Sequence, residues 1–569
     1  MAVAPTKYSD ARGDAPDLSH FRRNYPLTVA SFGALPDREA WLRRVWQADA
    51  RWRALAEGQT GEAVTRSAPS PNLQAEADFD VIYAGGALAL LHAALLGCRH
   101  NRRALVLHAP EDEGRGRDRR VADEDLREFE RAGLLTKDEI EAAVVRRYRT
   151  GYVKFHDAAS RVKTPPLWVS GVSDVSVDAG KLAEAAAKKL RARAGCVVVE
   201  GARFLRAYVE RDRVSVEAEG LGGARRLFAA RLFVDASGAD SAVARQLNGG
   251  RAATHVRPSV GTVARGFARG GGAQSVDFGV GEMLVSTEDA SAHRQLLWEG
   301  YGGDERAGEF STRLFFYDSL DSAADKSLLA LFEQYFEKLP RYKRAGAHFR
   351  VVRPLFGHAA GSRPAANRRA RRAGVATDRV LVACDAADRA NPLAVSGFGA
   401  QLRSLGESAQ LVELALAADL LDERSLAEIG ARHAPRSAQA AGLAEFLRPV
   451  AQADPSNVNE TLNAVMAALH DLDERVRREL FRDSLSFAAL KSLLARTLKL
   501  YPRLLQRVRE HLGARGTLWW LAHAGEAAFA ERRARLSAGG DHEGEARDDE
   551  PAREFARLVR LYEKGRGRP

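Results

Sequence analysis

One segment constrains this chain more than any other: Phe79-Asp-Val-Ile-Tyr-Ala-Gly-Gly-Ala-Leu-Ala-Leu-Leu-His-Ala-Ala-Leu, an apolar strand that runs through a glycine turn into an apolar helix. This is the pattern of a βα nucleotide unit. Its turn lets backbone N–H groups and a helix N-terminus face a pyrophosphate, where the helix dipole favours negative charge. Gly85 and Gly86 are the best-placed residues. Ala87 stands where a second glycine would admit the pyrophosphate, and Leu90 where a third would allow close helix packing. The next strand, Ala104-Leu-Val-Leu-His108, ends in histidine where an acid would hold a ribose, and Glu111 comes only later. An ordinary buried βα unit without a ligand fits the same residues.

Two further segments have a related texture. In Leu232-Phe-Val-Asp-Ala-Ser-Gly238-Ala-Asp-Ser, an apolar strand ends in a tight turn carrying Asp235 and Gly238, with Ser241 placed to cap a helix. Its order resembles that of flavoproteins, in which such a turn closes the adenine side of FAD. In Asp378-Arg-Val-Leu-Val-Ala-Cys-Asp385, followed by Pro392, Gly397 and Gly399, the strand and turn resemble the Gly-Asp-Ala motif of the hydroxylase, geranylgeranyl reductase and lycopene cyclase branch. That resemblance implies that Asp385 binds the ribityl chain and that the turn at Pro392, Gly397 and Gly399 lies beside the flavin ring. There the helix N-terminus can stabilise negative charge on the reduced flavin. Cys384 replaces the motif's usual glycine. An unrelated strand, turn and helix is the alternative reading.

At 569 residues the chain is too long for one hydrophobic core, and at roughly 150 residues per domain several units are expected. Texture divides it into a polar N-terminal extension over 1–73, a mixed α/β region over 74–415, a helical region over 416–536 and an acid- and glycine-rich tail with a short helix over 537–569. The extension carries an amphipathic stretch, Arg38 to Glu57, with Trp41, Val45, Trp46, Trp52 and Leu55 at helical spacing. Three scattered cysteines argue against a disulfide framework or a structural zinc site. His92, His108, His293 and His358 show no metal-ligand spacing and read as packing or surface residues, so no metal is expected. No apolar run reaches the roughly twenty residues that cross a bilayer, and neither a signal-peptide core nor a clear transit peptide opens the chain. The formal charge of +11 could suggest nucleic acid, but the Arg-rich loops lack the interleaved aromatics that stack bases, and no nucleic-acid partner is expected.

A broader resemblance is carried by Gly114-Arg-Gly-Arg-Asp-Arg-Arg-Val-Ala-Asp-Glu-Asp-Leu and the later Ala-Gly-Leu-Leu-Thr-Lys-Asp-Glu-Ile-Glu. Further agreement lies at Trp168-Val, Val260-Gly-Thr, Ser286-Thr-Glu-Asp, Leu339-Pro, Asp454-Pro-Ser-Asn-Val-Asn-Glu and Ser486-Phe-Ala-Ala-Leu-Lys. Together these resemble the CruA/CruP-type lycopene cyclase family from about Leu35 to Phe529. The resemblance implies an α/β fold: an FAD/NAD(P)-binding, glutathione-reductase-like Rossmann domain with an inserted β-rich substrate domain and a C-terminal helical region. It also implies reduced FAD as cofactor with NAD(P)H as possible reductant, Arg115 of the Gly-Arg element beside the cofactor, and placement in a plastid. The chain departs from the family pattern at Asp118-Arg-Arg, where a glutamate, a tryptophan and an asparagine are expected, and at Ser173-Asp-Val-Ser.

The implied reaction closes the open end of a carotenoid such as lycopene without net redox change. An acid protonates the terminal double bond, a cation attacks the neighbouring alkene, and a base removes a proton, with anionic reduced flavin stabilising the charge in a dry pocket. Candidate acids are Glu288, Asp289 and Asp318, carboxyls beside apolar residues where burial raises pKa values, although a solvated strand-end carboxylate suits each. Alternatives are a non-catalytic relative that binds flavin, carotenoid or neither, and an FAD-dependent monooxygenase or prenyl reductase. Phe487, Leu490, Leu493, Leu494, Leu498, Tyr501 and Leu505 recur on one helical face near Lys491, Arg496, Lys499, Arg503, Arg507 and Arg509, with Trp519 and Trp520 following. Such a face suits either peripheral contact with anionic lipid or burial against a core.

Overall fold

The computed structural model describes residues 16–57, 62–69, 72–108, 118–220, 222–238, 241–249, 254–272, 274–320, 322–361, 374–387, 397–432, 447, 454–510, 512–514, 517–518 and 550–565. Arg115, Pro392, Trp519 and Trp520 lie outside them, as does the side chain of Asp385.

Five parallel strands form the nucleotide sheet in the order Val197–Glu200, Ala104–His108, Ala75–Gly85, Arg225–Ala236, Val380–Val382. Side chains alternate between its faces, as the two-residue period of a strand requires. Val81 and Tyr83 pack under the helices Ala87–Arg99, Ala179–Arg191 and Gly397–Ala417. Ile82 and Ala84 face a meander made by Arg203–Val209, Val214–Glu219 and the first half of Arg225–Ala236. Burial on both sides explains why Ala104–His108 reads as an unbroken apolar run. Val64–Thr65, inside the N-terminal extension of the sequence reading, adds a parallel edge to the meander.

The expected inserted β-rich part is an eight-stranded sheet. Its path runs Asp318–Ser319, His255–Phe267, Phe310–Phe315, Leu297–Gly302, Val280–Val285, Thr150–Lys154, Leu167–Val169, and Ala345–Gly361 pairs with the long strand His255–Phe267. Val260, Leu314 and Trp298 share one face, which is covered by the helix Leu328–Tyr342 and by N-terminal helices including Arg38–Ala56. Phe315, Leu297 and Tyr301 share the other, whose core continues into the helices Asn457–His470, Glu474–Phe481 and Phe487–Leu500. A small antiparallel sheet, Asp118–Val121, Val175–Asp178, Val144–Arg147, completes the β structure.

Differences from the sequence reading have local causes. The apolar helical face expected to continue from Phe487 to Leu505 stops at Leu500, because Pro502 disfavours the α conformation at Tyr501, which adopts φ −138°. Leu490, Leu493 and Tyr501 are buried in the core beside Asn457–His470, whereas Leu505 is exposed. Among the described residues, no helix is long and apolar enough to cross a membrane.

Candidate functional site

The three strand-and-turn segments singled out in the sequence become adjacent strands whose C-terminal ends lie side by side. Gly85 is in register with Ala236, Asp235 with Val382, and the Ala383 amide donates to the Asp235 carbonyl at 2.8 Å. In open α/β sheets this edge is where ligands bind.

The two glycines of the first turn do different work. Gly85 has φ 153°, and a Cβ there would lie 2.3 Å from the Ala236 carbonyl oxygen, so glycine is required by the close approach of two strands. Gly86 precedes the helix Ala87–Arg99, and among the described residues it has no side-chain cap and a Cβ on it would meet nothing within 4 Å. The space a phosphate needs is therefore at Gly86, with Ala87 as the first helical residue.

Asp235 is fully buried and accepts from the Ser237 amide at 2.9 Å, the Ser237 hydroxyl at 2.5 Å and the Ser241 hydroxyl. Burial pushes its carboxyl up, against these bonds. Ser241 in turn caps Ala242–Leu247 by accepting from the Ala244 amide at 2.8 Å. Asp235 thus fixes the turn containing Gly238, which takes φ 89°. Cys384 adopts φ 55°, the left-handed region that favours glycine. Asp385 follows it in the single turn Cys384–Ala387, while Gly397 and the buried Gly399 open the helix Gly397–Ala417.

His108 ends the second strand, where an acid was expected, and is paired across the sheet with Glu200, Nδ1 to carboxylate 2.6 Å. Against the effect of burial, bonds from His108 and Arg191 hold the Glu200 carboxyl below its usual range. A carboxylate thus stands beside that strand end, on the neighbouring strand. His108 Nε2 is enclosed and meets no partner among the described residues. Under the same sheet, Tyr83 and Ser408 bond the two ring nitrogens of His92 at 2.6 and 3.0 Å. Burial lowers His92 to about 4, so the ring is neutral at pH 7. Its role is internal, as the sequence suggested.

The carboxylates proposed as acids are all engaged at the rim of the large sheet. Glu288 pairs with Lys338 at 2.6 Å and Arg341 at 3.3 Å, on the helix that covers the far face. Asp289 accepts from Asn459 at 2.9 Å. Asp318 is buried, accepts from the Ser319 amide at 2.7 Å and from the Ser322 hydroxyl, and lies 3.9 Å from Lys326. On the sheet face opposite that helix, a different set converges. Arg313 is flanked across the strands by Gly261 and Glu299, and Arg120 from the small sheet lies 4.5 Å over the ring of Tyr301. Sequence reasoning missed this set; its only sign was a charged residue inside the apolar strand Phe310-Ser-Thr-Arg-Leu-Phe315. Among the described residues, no group of three His, Cys, Asp or Glu could hold a metal ion.

No family model matches the chain, and no curated protein matches it. Solved structures do. A geranylgeranyl bacteriochlorophyll reductase-like protein from Thermoplasma acidophilum aligns over 76% of this chain and 99% of its own, with a TM-score of 0.54 and 13% identity. The halogenase PltM in complex with ethyl mercury and mercury aligns over 76% of this chain and 96% of its own, with a TM-score of 0.51 and 15% identity. The same halogenase in complex with phloroglucinol and FAD aligns over 85% and 96%, with a TM-score of 0.50 and 14% identity. At these identities the likeness is one of fold: a Rossmann-type α/β domain carrying a large inserted sheet.

Proposed function

We propose that this chain is an FAD-dependent enzyme of the oxidoreductase type, with the cofactor on the C-terminal edge of the nucleotide sheet and the substrate against the large sheet. The observation that carries this reading is the meeting of Gly85, Gly86, Asp235 and Ala383 on adjacent strand ends, with space at Gly86 and a helix N-terminus behind it that no described side chain caps. The residues present fit the cofactor. Gly86 and the Ala87 end of the helix would receive the pyrophosphate, His108, whose Nε2 has no partner among the described residues, would face the ribose, and Asp385 with the Gly397 helix would lie toward the ribityl chain and ring. The bound flavin would supply hydride or electron transfer. The protein's part is to hold it, orient the substrate and exclude water.

A second reading, carotenoid end-group cyclisation with reduced FAD, rests on the sequence resemblance. It needs an acid facing the substrate, and Glu288, Asp289 and Asp318 are each committed elsewhere. Glu299, beside Arg313, is a carboxylate on the substrate side of the sheet that could take that role. With this reading go a carotenoid partner, plastid placement and peripheral membrane contact. Membrane contact would fall to the exposed Leu500 and Leu505 with Lys499 and Arg503 beside them.

The deciding experiment is a titration of the purified protein with FAD, followed by two assays on the loaded protein. Saturable binding with the structured absorption of a buried flavin supports the enzyme, and absence of binding with and without reductant overturns it. Substrate-stimulated NAD(P)H oxidation favours the oxidoreductase, whereas anaerobic conversion of lycopene by reduced protein, without flavin turnover, favours the cyclase.

A further inference from the structure

The sheet face that looks away from the helix Leu328–Tyr342 carries more positive charge than a site for a plain hydrocarbon would hold. Register puts Ser259, Phe315 and Leu297 in one row and Gly261, Arg313 and Glu299 in the next. Arg257, two residues before Ser259, points to the same face by strand alternation, and its guanidinium lies 5.2 Å from the Phe315 ring centre. Arg119 and Arg120 come from the small sheet, with Arg120 stacked on Tyr301.

These arginines feel one another. Burial first, then the charge of Arg120, with Arg119 and Arg257 behind it, pushes the Arg313 guanidinium down to about 9, and Glu299 opposes the shift. Against burial, Tyr148, Asp118, Tyr301 and Glu299 hold the Arg120 guanidinium above its usual range, so Glu299 and Asp118 both act on the group. Four guanidiniums therefore share a part-buried place with Glu299 and Asp118. Arg120 Nε is enclosed and finds no acceptor among the described residues.

A cluster of like charges withdrawn from water is costly, and an anion placed among them removes the cost. Planar guanidinium forks match carboxylate and phosphate oxygens bidentately, and their stacking on aromatic rings holds them in position. The floor between them is low, made of Ser259 and Gly261, while Phe315, Leu297 and Tyr301 beside it are buried in the core shared with the C-terminal helices. Arg119 and Arg120 stand where the resembled family has a tryptophan and an asparagine, so two of these charges belong to this chain's departure from that pattern.

We propose that Arg120, Arg257 and Arg313, with Arg119 behind them, form an anion-binding subsite whose ligand is an organic molecule ending in a carboxylate or a phosphate. The inference rests on the reading of this face as the substrate side of a flavoenzyme, and it directs that reading away from an unfunctionalised polyene.

The test is calorimetric titration of the full chain, with and without FAD, using sodium decanoate, decyl phosphate and neutral decanol. Decanoate or decyl phosphate should bind saturably and at least tenfold more tightly than decanol, and should weaken as salt is raised. Whichever binds more tightly names the head group. Arg313→Gln and Arg120→Gln should each lose about tenfold for the anion while FAD affinity stays unchanged. Equal binding of decanol, no binding of either anion, or anion affinity indifferent to both substitutions and to salt would overturn the subsite. A parallel loss of FAD affinity would also overturn it, assigning the arginines to the cofactor's own phosphates. Should either variant fail to fold, the salt dependence and the decanol comparison on the unaltered protein still decide. Failure of the flavoenzyme reading shows separately, in the FAD titration.

Discussion

Arg482 donates to Asp125 at 2.6 Å across 357 positions of sequence. Asp125 has no solvent exposure, and Arg403 reaches both its oxygens at 3.0 Å from the long helix Gly397–Ala417. One carboxylate thus ties the helix Asp123–Arg131, the helix behind the nucleotide sheet and the C-terminal helices together.

Removing that carboxylate takes the buried partner from both guanidiniums, leaving Arg482 with Glu124 at 2.7 Å and Arg403 with the Arg482 carbonyl. Asp125→Asn should lower unfolding free energy by about 3 kcal/mol, since breaking a buried pair leaves uncompensated charge. Urea denaturation checks this, and a loss below about 1 kcal/mol would show that Arg403 and Arg482 find other acceptors.

The first glycine turn separates folding from binding. Gly85→Ala sets a methyl 2.3 Å from a backbone oxygen and should destabilise by about 2 kcal/mol or more. Gly86→Val meets open space, so the protein should fold with an unchanged melting temperature and lose FAD affinity. Asp385→Ala should likewise weaken FAD retention while the fold persists. Equal loss of stability in the two glycine variants would contradict this division.

Cys384 is a strained residue in a glycine position. Cys384→Gly should raise stability by about 1 kcal/mol through release of its φ of 55°, less whatever packing the side chain contributes. A lower midpoint in urea would show that packing outweighs strain.

Asp49 makes stability fall with pH. It is enclosed and accepts from the Leu328 amide at 2.8 Å and the Ser327 hydroxyl at 2.9 Å, with His358 3.8 Å away and Arg53 also acting on it. Burial pushes its carboxyl up to about 7 from 3.8 in the unfolded chain. The folded state therefore holds a proton that the unfolded state has released. Its stabilising effect is complete below about pH 4 and is lost as pH rises through 7, at up to about 1.4 kcal/mol per unit. Asp49→Asn should flatten the dependence measured by urea unfolding from pH 5 to 8; identical slopes in the two proteins would refute it.

Local signals made much of this molecule legible. An apolar run meeting glycine identifies a strand end wherever it occurs, and the segments ending at Gly85, Asp235 and Asp385 do lie side by side. The bonds that use up Asp235 lie within six residues and could have been read from Ser237 and Ser241 as an Asx turn. What remained hidden is register. The meeting of Arg120, Arg257 and Arg313 depends on antiparallel pairings between distant strands, and no periodicity within one strand reports its partner. Contact between two of the resembled segments was hidden for the same reason: Ser286 donates to Asn459 at 2.8 Å, and Asn459 donates to Asp289.

The strand Arg225–Ala236 is bordered on one edge by Ala75–Gly85 and at its far end by Val380–Val382. During synthesis the whole inserted sheet leaves the ribosome before that last neighbour does. Until then Phe233, Val234 and Asp235 present an open apolar edge, the kind of surface on which nascent chains join the wrong partner. Chaperone dependence of this protein should be set by that interval of translation.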